Sequence, residues 1–223
     1  KSGHRATFYA VSGDTYLGSW ENDRFHGQGI HRSPRRQEIY EGHFEAGERG
    51  GFGTLWQGPF EHNHKVYAGQ WRHGKRHGQG TAYYHAPHPE AGGTYTGMWS
   101  DGMRTGWGRM TYADGGLYEG EWWQDQRHGD GVHVLPNGNR YDGTWFNDLK
   151  EGPGKFYYRD TRRCCEGEWV RDTMTCGVMT DLPPLAGRAP NPHPIPAIGL
   201  AHADDVVATE KAAIRERRAE ALF

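Results

Sequence analysis

The chain has 223 residues and a formal net charge of −2, with 26 Lys and Arg against 28 Asp and Glu. There is no basic excess to hold a phosphate backbone, which argues against nucleic acid as a main partner. No apolar run approaches the ~20 residues that span a bilayer. The apolar inventory is unusual: Trp 9, Tyr 12 and Phe 8 outnumber twenty-two Leu, Ile and Val, and Gly reaches 34. Large rings cover much area per residue, so this composition predicts a thin, flat sheet rather than an aliphatic globule. Three Cys (Cys164, Cys165, Cys176) are too few for a disulfide scaffold and suggest reduced thiols in a cytoplasmic compartment. The first residues are polar and carry no signal-peptide apolar region.

A repeated frame runs along the chain: Tyr-x-Gly-x-Trp, six residues, then Gly-x-Gly. The first copy holds Tyr16, Gly18, Trp20, Gly27 and Gly29, and the second Tyr40, Gly42, Phe44, Gly51 and Gly53. The third has Tyr67, Gly69, Trp71, Gly78 and Gly80, and the fourth Tyr95, Gly97, Trp99, Gly106 and Gly108. The fifth has Tyr118, Gly120, Trp122, Gly129 and Gly131, and the sixth Tyr141, Gly143, Trp145, Gly152 and Gly154. A seventh copy is degenerate, with Cys165 at the Tyr position, then Gly167 and Trp169, and with Cys176 and Val178 in place of the closing glycines. An atypical last copy is expected where one side lacks a neighbour.

Each copy predicts a two-stranded hairpin. Tyr, Gly and Trp at i, i+2 and i+4 share one face of a strand. Three residues after the Trp position stand Asp23, Gly47, Gly74, Gly102, Asp125, Asp148 and Asp172, all tolerant of tight turns. Asp114-Gly115 and Asn137-Gly138 predict two-residue turns between copies. The longer spacings of the second and third copies put extra residues into these linkers, as in the His85–Gly93 stretch. The glycines between rings leave room for neighbouring side chains, and the Gly-x-Gly pair permits close approach or positive φ. The predicted fold is all-β, an elongated, twisted antiparallel meander of about seven hairpins in a single-sheet rod. At ~4.8 Å per strand the rod would be roughly 65–70 Å long.

The segments YLGSWENDRFHGQG, YAGQWRHGKRHGQG and YEGEWWQDQRHGDG resemble the MORN repeat (membrane occupation and recognition nexus) over roughly residues 8–181. TGWGRMTY, NGNRYDGTW, CGVMTD and Pro194-Ile195-Pro196 resemble a small member of that family linked to male germ cells and flagella. The resemblance implies a scaffold, of the kind found in radial spokes, cytoskeletal collars or membrane junctions. It also implies a groove along the sheet that clamps a partner helix, and dimers in some members.

The repeat pattern stops near Asp181. Residues 182–200, with Pro183, Pro184, Pro190, Pro192, Pro194 and Pro196, predict an extended linker. Asp204 or Asp205 then starts a helix within 201–223 whose narrow stripe is Val207, Ile214 and Ala221. The chemistry-bearing residues read as structural. His26, His77 and His128 recur at one repeat position, two repeats or ~19 Å apart, too far to share a metal ion. Glu41, Glu119, Glu121, Glu166 and Glu168 alternate with the ring face and are expected on a solvated rim. No Walker loop or GxSxG elbow is present.

These features predict a non-catalytic scaffold without cofactor or metal, in the cytoplasm and the axoneme or cytoskeleton of a cilium or flagellum. It would be part of a larger complex and open to dimerisation. Partner proteins would bind along the aromatic-glycine face, at Tyr67, Trp71, Tyr95, Trp99, Tyr118, Trp122, Tyr141 and Trp145. The alternative is a peripheral membrane-contact module binding anionic phospholipids, against which the net charge and the lack of a polybasic run both argue.

Overall fold

A computed structural model of the chain describes residues 2–59, 61–85 and 87–183. All regular structure in it is β: fifteen antiparallel strands form one open sheet whose order follows the sequence. The linker expected over 182–200, apart from its first two residues, and the helix expected over 201–223 lie outside the described residues. Contacts divide the chain into two compact units, residues 1–113 and 114–223.

The first unit contains β1 (Gly3–Tyr9), β2 (Thr15–Glu21), β3 (Arg24–Ser33), β4 (Glu38–Glu45), β5 (Glu48–Gln57), β6 (His64–Arg72), β7 (Lys75–Tyr83), β8 (Thr94–Ser100) and β9 (Met103–Thr111). The second contains β10 (Leu117–Trp123), β11 (Gln126–Val134), β12 (Arg140–Phe146), β13 (Leu149–Tyr158), β14 (Arg163–Val170) and β15 (Thr173–Asp181). Each copy of the frame is one hairpin, from β2–β3 for the first to β14–β15 for the seventh. The strand β1 precedes the first copy and pairs with β2.

Within every hairpin the turn is a two-residue link with both φ values positive, as at Asn147 (49°) and Asp148 (67°) or at Asp101 (50°) and Gly102 (95°). That is the type I′ turn, whose twist matches that of the strands it joins. The turns between copies differ from expectation. Of Asn137 and Gly138 only the glycine is left-handed, at φ 82°. Gly138 N–H donates to Leu135 O and Leu135 N–H to Asn139 O, both at 2.8 Å. Pro136 is the reason: its fixed φ suits the first central position of an ordinary β-turn, and Gly138 then absorbs the left-handed residue. Asp114 acts similarly, its Oδ1 accepting the Gly116 N–H at 2.9 Å.

The lane of glycines is the organising feature. In the second unit Gly120 pairs with Gly131, Gly131 with Gly143, Gly143 with Gly154, Gly154 with Gly167 and Gly167 with Gly177. In the first unit the same row runs from Gly18 to Gly108. The repeat tyrosine lies across it: a Cβ on Gly131 would sit 2.4 Å from the Tyr118 hydroxyl and 2.5 Å separates a Gly120 Cβ from the Gly131 Cα. The other glycine of the Gly-x-Gly pair has a different task. Gly129 (φ 57°) sits in a bulge where the register slips between Gly120 and Glu121. A bulge bends its strand and increases its twist.

Candidate functional site

The eight rings expected to form an open binding face are interior. Tyr67, Tyr95, Tyr118 and Tyr141 are 0% exposed, and Trp71, Trp99, Trp122 and Trp145 are 5% or less. They are packing residues, and the expectation of a free aromatic groove is corrected on that ground. Within each unit a tyrosine meets its own Trp edge-to-face and the Trp of the following copy likewise: Tyr118 lies 5.1 Å from Trp122 and 5.4 Å from Trp145. Tyr67 does the same with Trp71 and Trp99, at 5.0 and 5.5 Å. Such pairs add about 0.5–1.5 kcal/mol each beyond their buried area.

The tyrosine hydroxyls and several of the Trp N–H groups are satisfied by backbone. The Tyr hydroxyl donates to the carbonyl three residues on in all six copies, from Tyr16 to Ser19 O (2.9 Å) through Tyr141 to Thr144 O (3.1 Å). Burial pushes the Tyr16 hydroxyl up to about 12 and raises those of Tyr40 and Tyr67. Trp71, Trp99 and Trp145 donate Nε1–H to the lane carbonyls of Gly53, Gly80 and Gly131 in the preceding copy.

Sequence reasoning missed one repeat position, five residues after the Trp. Copies two to six carry Arg49, Arg76, Arg104, Arg127 and Lys150 there. Arg49, Arg76, Arg127 and Lys150 lie over the Tyr of their own copy and the Trp of the next. Arg127 is 5.7 Å from the Tyr118 ring and 4.2 Å from that of Trp145, and Lys150 is 5.5 Å from Tyr141 and 5.1 Å from Trp169. Arg104 lies over Tyr95, at 5.7 Å, and Tyr84. A partly desolvated cation on a ring contributes about 1–2 kcal/mol. In the second unit the turn Asp of the next copy anchors the cation: Asp148 Oδ1 accepts from Arg127 N–H and Nε–H, both at 2.9 Å, and Asp172 Oδ1 lies 3.6 Å from Lys150 Nζ. The signal was available in the sequence as five consecutive basic residues at one offset.

Six stretches of the chain, residues 16–35, 40–57, 67–85, 95–117, 118–140 and 141–161, match the family model described as the MORN repeat. The chain belongs to the MORN repeat family. It is also similar to MORN repeat-containing protein 3 of Xenopus laevis, at 46% identity over 209 residues, which is 93% of this chain and 86% of the relative. The hairpin β14–β15 lies beyond the matched MORN copies. There Cys165 takes the place of the ring, with Sγ 3.1 Å from Met174 Sδ.

The remaining candidates of this MORN chain fall as follows. All three cysteines are free and buried, and burial raises the Cys164 and Cys165 thiols, which disfavours the nucleophilic thiolate. Glu41, Glu119, Glu121 and Glu166 are exposed, but Glu168 is 1% exposed and is corrected from rim to interior. It sits between β13 and β15, opposite Pro153 and Cys176, where the last copy closes over it. Among the described residues no group of three or more His, Cys, Asp or Glu has the geometry of a metal site. The face away from the rings is where large apolar groups meet solvent. Phe52 is 66% exposed, Trp107 55% and Trp123 56%. Each directly precedes or follows a ring-side residue (Gly53, Gly108, Trp122), so alternation turns it outward.

Proposed function

We propose that the chain is a non-catalytic MORN scaffold that binds partner proteins through its outer face, in the axoneme of a cilium or flagellum. The observation that carries the reading is the exposure of Phe52, Trp107 and Trp123 on a face that folding does not need. Exposed aromatic anchors are the residue type that dominates protein interfaces. The ring stack and its cations explain the repeat by internal packing alone, so partner capture falls to side chains outside the frame. The raised pKa values of the tyrosines and thiols have burial as their cause, which fits packing groups better than catalytic ones. The axonemal setting comes from the resemblance to a germ-cell member of the family.

A fluorescent and proximity-labelling fusion in ciliated cells tests both parts. The wild-type chain is expected along the axoneme, and the double variant Phe52→Ala/Trp107→Ala and the single variant Trp123→Ala are expected to lose labelled neighbours while keeping their melting temperature. A diffuse cytosolic signal would reject the location. An identical set of neighbours for wild type and both variants would reject the outer face.

A further inference from the structure

One position of the repeat breaks its own rule. The residue opposite each repeat tyrosine, two after the second lane glycine, is His31, Leu55, Met110, His133 or Phe156 in five copies but Ala82 in the third. Beside Ala82 lies an open cleft of about 380 Å³ in the first unit, within the range of small-molecule sites. Its lining includes Ala82 and Val66, the guanidinium-bearing Arg76, and rings of Tyr84, His64 and His88.

The long linker after β7 forms its wall and is held in place. Tyr84 N–H donates to Gly93 O at 3.0 Å, and Gly92 N–H to Tyr84 O at 2.8 Å. Arg104 grips Glu90 at 2.9 and 3.0 Å. His88 stacks on Tyr84 with centroids 4.5 Å apart, and its Nδ1 accepts the Glu90 N–H, so the ring proton belongs on Nε2. His85 Nε2 donates to Lys65 O at 2.9 Å while its ring lies 4.0 Å from that of His64. The wall is thus closed on itself and tied to β6 and β9 without a ligand, and the site is formed in advance.

We propose that this cleft is a binding site for a small organic anion: an apolar or aromatic body carrying a phosphate ester or a carboxylate. The chemistry follows from the lining. Arg76, His64 and His88 supply N–H donors, and among the described residues no carboxylate lines the cleft. Val66 and Pro87 offer apolar surface to the body of the ligand, above the buried Ala82. The site uses none of the outer-face aromatics, and its failure would leave the scaffold reading intact.

Titration of the full chain with phenyl phosphate, phenylacetate and inorganic phosphate, followed by NMR of the Ala82 methyl and the histidine rings, tests the site. At least one of the two aromatic anions is expected to shift these signals saturably, with Kd of about 1 mM or below; which one responds assigns the anion. Ala82→Met, which installs the side chain found at Met110, is expected to weaken binding by about tenfold or more. His88→Ala removes an exposed donor without touching the interior and is expected to weaken it as well. Three results would overturn the proposal: no saturable shift with either aromatic anion, undiminished binding by both variants, or inorganic phosphate binding as tightly as phenyl phosphate.

Discussion

Two junctions between consecutive MORN copies show what regularity and irregularity each build. In the second unit β11 passes to β12 through Leu135–Asn139, a tight turn closed by two 2.8 Å backbone hydrogen bonds, and His133 fills the position opposite Tyr118. In the first unit β7 passes to β8 through a linker reaching Gly93, and the same position, opposite Tyr67, is Ala82. The rings, lane glycines and cations are alike in both. The irregular junction carries a cleft with a polar wall beside it. The frame supplies rigidity, and departures from it supply places for a ligand. Charge divides in the same way: residues 1–113 hold thirteen Lys and Arg against ten Asp and Glu, whereas residues 114–183 hold eight against thirteen.

The comparison can be broken hardest at a frame position of the regular unit. Trp122→Ala removes a ring 3% exposed and is expected to cost about 4 kcal/mol in denaturant unfolding. Trp123→Ala, its exposed neighbour, should stay within about 0.5 kcal/mol. Equal losses would mean that the two faces of the sheet are not distinct. Next comes the glycine lane. Gly131→Ala drives a Cβ into the buried Tyr118 ring and is expected to cost about 3 kcal/mol. Gly115→Ala meets no atom within 4 Å and pays only for its φ of 87°, about 1 kcal/mol. A Gly131→Ala chain as stable as Gly115→Ala would show that the ring stack tolerates the crowding.

The smallest effect sharpens the contrast between His133 and Ala82. Burial, with Arg127 and Lys150 close by, lowers the His133 pKa to about 4. Above the unfolded pKa of about 6.5 both states are neutral and the stability contribution is complete. As pH falls from 6.5 toward 4, the unfolded chain binds a proton that the folded chain refuses, so the melting temperature should drop across that window. Replacing His133 by Leu, the residue at position 55, should flatten this part of the profile. An unchanged pH profile in the His133→Leu chain would remove His133 from the account.

Much of the architecture was legible because it depends on spacing along the chain. The Tyr-x-Gly-x-Trp offsets put three side chains on one strand face, and Asp or Gly three residues later marks the turn. The cation at Arg127 and its equivalents was equally legible as a repeat position, but its role is not, since the Trp it covers belongs to the next copy. Asn137-Gly138 misled because Pro136 outweighs the dipeptide. The burial of Trp99 or Trp145 could not be read at all from alternation. A ring on one face of a strand is exposed in a flat sheet and interior in a bent one, and the bend comes from a bulge.

The sequence by itself determined the modules: two strands, an I′ turn, and one ring beside one glycine, each set by steric and periodic rules acting within a few residues. The tertiary structure alone decided that these rings face each other rather than solvent, that Glu168 is enclosed, and that a cleft lies beside Ala82. The reason is distance along the chain. Burial at these positions depends on side chains of the neighbouring strands and of the next copy, brought near by sheet pairing.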